Sequence, residues 1–302
     1  MKLLLRTALL AALGVAGIYA DVTFQEKTKI TGGSLMEVLQ KIVNNPNLPP
    51  AVGSQMKHTL EDQNFDVYIM GNRMARIGPH QSSIYDLDAG TLTTINHDNQ
   101  TYAVMTFDEL SQRMQQMQQR LGKAQADLQF DAKVDKTGES RKIDGETANE
   151  TVITLRAKQA NNGQDQMVVS THTWLVPMNA PRQEARNFQK RMGEKAAAAF
   201  MGGAAPLMGF ASSGLSAVMR EMSRLDGGYP ALSTTSLTGS LGPGNPLTAL
   251  AAMSGAGGST GPNAPLLTTE SSFHNFVQGV ADPAKFAIPA GYKALKLPAS
   301  AP

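Results

Sequence analysis

Between Ser54 and Val176 the chain reads as strand, turn, strand, turn with one helical interruption. Phe65, Val67 and Ile69 alternate with Asp66, Tyr68 and Met70, the period-two pattern of a half-buried strand. Gly71-Asn72 turns the chain, and Arg73 to Ile77 runs back. Ser82 to Leu87 and Thr91 to Ile95 flank Asp88-Ala89-Gly90, a tight-hairpin sequence, and Thr101 to Phe107 follows the turn at Asn96 to Asn99. Further strands are expected at Leu128–Asp135, Ser140–Ile143, Thr147–Ala157 and Gln166–Val176. Lys136-Thr137-Gly138, Asp144-Gly145 and Asn161-Asn162-Gly163 separate them as turns. Long adjacent antiparallel strands twist and coil, so the last two favour curvature. The expected fold is mainly β (α+β), a strongly curved antiparallel sheet or incomplete β-barrel covered by helices.

The rest of the chain supplies the covers. A first strand is expected at Asp21–Ile30, then a helix at Leu35–Val43 capped by Ser34. The interrupting helix, Phe107 to Lys123, carries Leu110, Met114, Met117 and Leu121 as a stripe, with Thr106 or Asp108 as its cap. That stripe either packs on the sheet or forms a movable lid over a cavity. Pro181 to Arg191 begins another helix. Ala196 to Met219 holds no charged residue. Its Gly, Ser and Pro206 make it poor as a membrane span and suit a helical hairpin on the sheet or an apolar flap. Gly227-Gly228-Tyr229-Pro230 reads as a turn and Ala231–Leu237 as a short strand. Thr238 to Pro265 reads as a flexible loop. A final strand pair is expected at Leu266–Val277 and Tyr292–Leu297. Residues 21–302 thus form one domain with a helical and Gly-rich insertion at about 181–265.

Residues 1–20 have the layout of a secretory signal peptide. Lys2 and Arg6 precede an apolar stretch, and Ala20 stands at the cleavage point. An exported, periplasmic protein is expected after cleavage. The absence of cysteine removes disulfides, thiolate metal sites and cysteine nucleophiles. The formal net charge is +2, with acids and bases intermixed, which excludes a nucleic-acid footprint.

Recognisable catalytic chemistry is missing. The five His stand at 58, 80, 97, 172 and 274, none in an H-x-x-x-H arrangement, so no helical metal site is expected. His172 and Trp174 read as a sheet-face pair, and Asp86 with Asp88 as turn-formers. Gly255 to Gly261 lacks the Lys and the glycine spacing of a phosphate cradle, and there is no G-x-S-x-G elbow. The chain is therefore read as non-catalytic, without cofactor or metal.

Several segments resemble a known family. They are Ser83-Ile84-Tyr85-Asp86-Leu87, Thr91 to Asn96, Thr101-Tyr102-Ala103-Val104-Met105, Lys142 to Glu146, Trp174-Leu175-Val176-Pro177, and Phe286 to Lys293. Together they resemble exported bacterial proteins of the LolA-like superfamily of periplasmic lipoprotein carriers. The resemblance implies an incomplete barrel whose concave side is covered by helices over an apolar cavity. It also implies acyl chains as ligand and no catalytic residues. The segment from Pro181 to Pro265 is large beside a minimal carrier.

Two functions follow as expectations. In the first, the chain carries an apolar ligand, a lipid or a lipoprotein acyl chain, with transient contact at the membrane surface. Alternation then puts Phe65, Val67, Ile69, Val104, Leu110, Met114, Met117 and Trp174 on the ligand-lining list, though the same residues suit a plain core. In the second, the chain is an envelope protein-interaction module without a ligand, docking through Ala196–Met219 and Thr238–Pro265. An open concave face favours the carrier, and a filled one favours the module.

Overall fold

A computed structural model describes residues 21–44, 53, 57–58, 60–121, 128–159, 165–203, 228–239, 264–279 and 281–295. The expected signal peptide at 1–20, the apolar segment at 204–219 and the loop at 240–263 lie outside the described residues.

The strands are β1 (Val22–Gly32), β2 (Gln63–Met70), β3 (Arg73–Ile77), β4 (Gln81–Asp86), β5 (Thr91–Asn96), β6 (Thr101–Thr106), β7 (Leu128–Ile143), β8 (Glu146–Gln159), β9 (Asp165–Val176), β10 (Tyr229–Gly239), β11 (Pro265–Gln278) and β12 (Lys293–Ala294). They form one curved, unclosed sheet of 12 strands in the order β12-β6-β5-β4-β3-β2-β1-β11-β10-β9-β8-β7. Every pairing is antiparallel except β12 with β6. The helices are α1 (Ser34–Val43), α2 (Phe107–Leu121) and α3 (Ala180–Gly203).

Hairpin turns account for β2 to β6 and for β7 to β8, as the meander predicts; β8 pairs antiparallel with β9, and the expected turn at Asn161-Asn162-Gly163 lies outside the described residues. Three expectations change. Lys136-Thr137-Gly138 is not a turn between two strands. It is an irregularity inside the single 16-residue β7, where Gly138 takes φ +81°. Tyr229 and Pro230 belong to β10 rather than to a turn, since Tyr229 is opposite Val176. The two C-terminal strands do not pair with each other: β11 joins β1 and β10, closing the gap between the meander's halves, while β12 edges β6.

Register defines the faces. Val22, Ile69, Met74, Tyr85, Leu92 and Met105 form one cross-strand row, and Phe24, Val67, Arg76, Ser83, Thr94 and Ala103 the next on the same face. The opposite face carries Tyr68, Ala75, Ile84, Thr93 and Val104. Strands β2 to β6 are apolar on both faces, so both need a cover.

Helix α3 covers the first face. Asn179 caps its start by accepting from the Arg182 N–H at 3.1 Å, and Pro181 sits in the first turn. Ala185 and Phe188 are completely buried among Val22, Phe24, Phe65, Val67, Ile69 and Tyr229. Helix α2 packs chiefly along α3, so of these two it is α3 that lies on the sheet, while α1 packs against β11. The C-terminal segment covers the opposite face. Ala281 and Phe286 are buried with Ala75, Ile84 and Ile95. Arg73 donates to the Phe286 carbonyl at 2.8 Å, and its guanidinium lies 5.0 Å from the Phe286 ring centre. At the far end of β1, Gly33 takes φ +110° and lies so close to β11 that a Cβ would stand 2.4 Å from the Leu266 carbonyl oxygen. Only glycine fits both constraints.

Candidate functional site

The concave face is built by β1, β2, β11 and β10 beneath α3. Phe24 stacks on Phe276 with ring centres 4.6 Å apart, and Tyr229 meets the Phe276 ring edge-on at 4.9 Å. Of the eight residues expected to line a cavity, Phe65, Val67 and Ile69 lie in this core, with Leu110 and Trp174 packed against it. Val104 does not: it points to the opposite face and is 48% exposed. Strand parity explains the correction, because Val104 is opposite Thr93, which is opposite Ile84, a residue of the other face. The side chains of Met114 and Met117 lie outside the described residues.

Polar groups fasten α3 at its rim. Arg182 donates to both Glu146 oxygens at 2.9 and 2.6 Å and to the Pro177 carbonyl at 2.9 Å. This bond to Arg182 holds the Glu146 carboxyl below its ordinary pKa. Arg191 donates to Glu184 at 2.9 Å and to the Gly71 carbonyl at 3.1 Å, and Lys195 donates to the Leu87 carbonyl at 2.9 Å. The helix therefore runs from the β7–β8 hairpin to the β2–β3 and β4–β5 turns. Between Arg182 and Lys195 it covers only about 20 Å. The path along the sheet from β8 to β4 is seven strand spacings, roughly 33 Å. Helix and two long side chains span the curve as a chord.

Glu26 and Arg76 break the apolar face. Arg76 donates to both Glu26 oxygens at 2.7 and 2.8 Å, and its guanidinium lies 3.3 Å from the Phe65 ring centre. Beyond this pair the same face becomes hydroxyl-rich: Thr28, Ser271, Ser233, Thr173 and Thr151 form one cross-strand row. A polar cleft of about 140 Å³ opens beside β1 between Lys27, Lys29, Asp62 and Glu270. It is smaller than the 300–1,000 Å³ of a typical ligand pocket.

A second constellation escaped the sequence reading. His58 and Glu61 stand on a helical turn before β2, His80 in the β3–β4 loop, and Asp98 in the β5–β6 loop. His58 Nδ1 is 3.0 Å from Glu61 Oε2, and His58 Nε2 is 3.3 Å from Asp98 Oδ2. His80 Nδ1 is 2.9 Å from Asp98 Oδ1, and His80 Nε2 is 4.0 Å from Glu61 Oε2. The two imidazoles stack with centres 3.7 Å apart. Contact with His58 lowers the Glu61 pKa, and contact with His80 lowers that of Asp98. Spacing motifs detect sites on one helix. These residues come from three segments that only the antiparallel register brings to one end of the sheet. The i, i+3 pair His58–Glu61 was the one local signal.

The other singled-out residues behave structurally. Asp86 accepts the N–H groups of Asp88 and Ala89 at 3.1 and 2.8 Å, so it forms the turn as expected. His172 pairs with Glu150 at 2.9 Å across β8 and β9, and the contact lowers the Glu150 pKa. His97 joins Ser82 at 2.7 Å to Tyr292 at 2.9 Å, tying the C-terminal segment to the sheet. Ser82 is buried, so this pair presents no hydroxyl to a substrate.

No protein-family model matches the chain, and no curated protein matches it. Among solved structures, one of PNGF-II aligns at a TM-score of 0.29 with 7% identity, covering 93% of this chain and 31% of that one. The chain thus spans less than a third of that protein's length, and likeness at this level carries no argument. No described helix is long and apolar enough to cross a membrane.

Proposed function

We propose that this chain is a non-catalytic binding protein, exported to the periplasm, that works through its concave apolar face. The observation that carries the reading is that the cover of that apolar face, α3, is fastened at its rim by separable polar contacts. Ala185 and Phe188 fill the ground between Phe24, Phe65, Val67 and Ile69, while the helix is tied at its rim by Arg182, Arg191 and Lys195. The helix stands where an acyl chain would lie. A lipid or lipoprotein acyl chain enters when α3 lifts, and each methylene it buries contributes about 0.8 kcal/mol. This ligand class also rests on the resemblance to LolA-like carriers.

The filling of the face favours a second reading. If α3 is a permanent part of the core, the chain is an envelope interaction module without a ligand. One experiment separates the two. Purified mature chain is titrated with a fluorescent fatty acid and extracted for lipid mass spectrometry, beside the double variant Arg191→Ala/Lys195→Ala. The carrier reading expects saturable uptake that tightens when the rim bonds are gone. No uptake by either folded protein, and no co-purified lipid, leaves the module.

A further inference from the structure

We propose that His58, Glu61 and His80 form a binding site for one divalent first-row transition metal ion, with Asp98 orienting both imidazoles. The site does not depend on the reading of the concave face. Possible ligand atoms of the three residues all lie within 4.8 Å of one another. A fourth residue touches both rings. Asp98 reaches His58 Nε2 at 3.3 Å and His80 Nδ1 at 2.9 Å, one carboxylate against one nitrogen of each ring. A carboxylate accepts hydrogen bonds, so with an ion bound Asp98 takes the N–H of each ring. His58 Nδ1 and His80 Nε2 then turn their lone pairs to the ion. They face Glu61 Oε2 at 3.0 and 4.0 Å.

A divalent cation takes one lone pair from each ring and one from Glu61. In a tetrahedral site with bonds of about 2.0–2.1 Å, ligand atoms stand about 3.3 Å apart. The separations of 3.0 and 4.0 Å bracket that edge, and turning the two imidazoles out of their stack brings both lone pairs onto one ion. Asp98 supplies the outer carboxylate that metal-binding histidines ordinarily have. Two imidazoles with one carboxylate suit zinc, cobalt, nickel or iron better than magnesium or calcium. Three protein ligands leave a coordination position open to water, on a part-exposed surface.

The loops carrying the ligands are held in place. Gln63 Nε2 donates to the carbonyls of His58 and Glu61, clamping the turn before β2. His97 N–H donates to the His80 carbonyl at 2.8 Å. Gly78 passes so close to the Phe65 ring that a Cβ would stand 2.7 Å from it, which fixes the start of the His80 loop.

The test uses metal-stripped full mature chain at pH 7.5, titrated with Co²⁺ alone and followed by calorimetry and visible absorption. One equivalent binds with a dissociation constant below roughly 100 µM, with the absorption of nitrogen-coordinated cobalt. Zn²⁺ displaces it and Ca²⁺ does not. Asp98→Asn weakens binding about 10- to 100-fold, and His80→Gln and Glu61→Gln weaken it at least as much, while circular dichroism shows each variant folded. Thermal unfolding of the wild-type chain moves up with Co²⁺, and that of His80→Gln does not. The proposal is overturned if folded wild-type chain takes up no Co²⁺ in that range, if the three variants bind like wild type, or if Ca²⁺ competes equally.

Discussion

Single side chains set the limits of the core. Tyr229 is 2% exposed, and burial pushes its phenol pKa up. Its hydroxyl lies near Gln189 but meets no partner with hydrogen-bond geometry. A buried hydroxyl without a partner costs about 1–3 kcal/mol. Tyr229→Phe should therefore leave stability unchanged or raise it by about 1 kcal/mol, read from the urea midpoint. A loss larger than that would mean that the hydroxyl is bonded in solution. Phe188 and Tyr229 both serve the concave core, yet only the strand alternation around the first three lining residues was visible beforehand. Phe65, Val67 and Ile69 could be assigned because a strand's period is two. Val104 could not, because alternation says which residues share a face and not which face is buried. Both faces of β6 look alike until α3 and the C-terminal segment take their sides.

Elements were largely legible where their signals are local. The α2 start is a capping box: Thr106 Oγ1 accepts the Glu109 N–H at 3.1 Å, and the Glu109 carboxylate accepts the Thr106 N–H at 2.8 Å. The sequence offered Thr106 or Asp108, and the reciprocal bond selects Thr106. Thr106→Ala should cost about 1 kcal/mol, seen as faster amide exchange through the first turn of α2. Unchanged exchange there would remove the cap from the account. Elements failed to show where the signal depends on a distant partner. Lys136-Thr137-Gly138 has turn composition, but β8 runs alongside without a break and pulls it into one strand with a bulge. The long β7 is paired on one side only among the described residues, and Lys133, Asp135, Lys136 and Glu139 line it with charge. Charge on an edge discourages pairing with another chain.

At the scale of the molecule, the same polar groups that fasten helices and strands tie stability to pH. Arg182 lowers the pKa of Glu146, Thr106 that of Glu109, and His172 that of Glu150. A carboxyl whose pKa falls on folding contributes its full stability above the unfolded value, near 4.5, and loses it as pH falls through the folded value. Thermal midpoints should hold above about pH 5 and drop below about pH 4.5, less steeply in Arg182→Ala. An equal acid loss in that variant would take Glu146 out of the explanation. The amino-acid sequence by itself determined most of the strands, the tight turns of the β2–β6 meander and the need for covers, because period-two alternation and turn residues act within a few positions. Tertiary structure alone decided three things: that β11 bridges the two halves of the meander, that α3 rather than α2 fills the concave face, and that His58, Glu61, His80 and Asp98 meet. Each of these depends on register between strands far apart in the chain, and register is set by the whole hydrogen-bonded ladder, not by any residue's own preference.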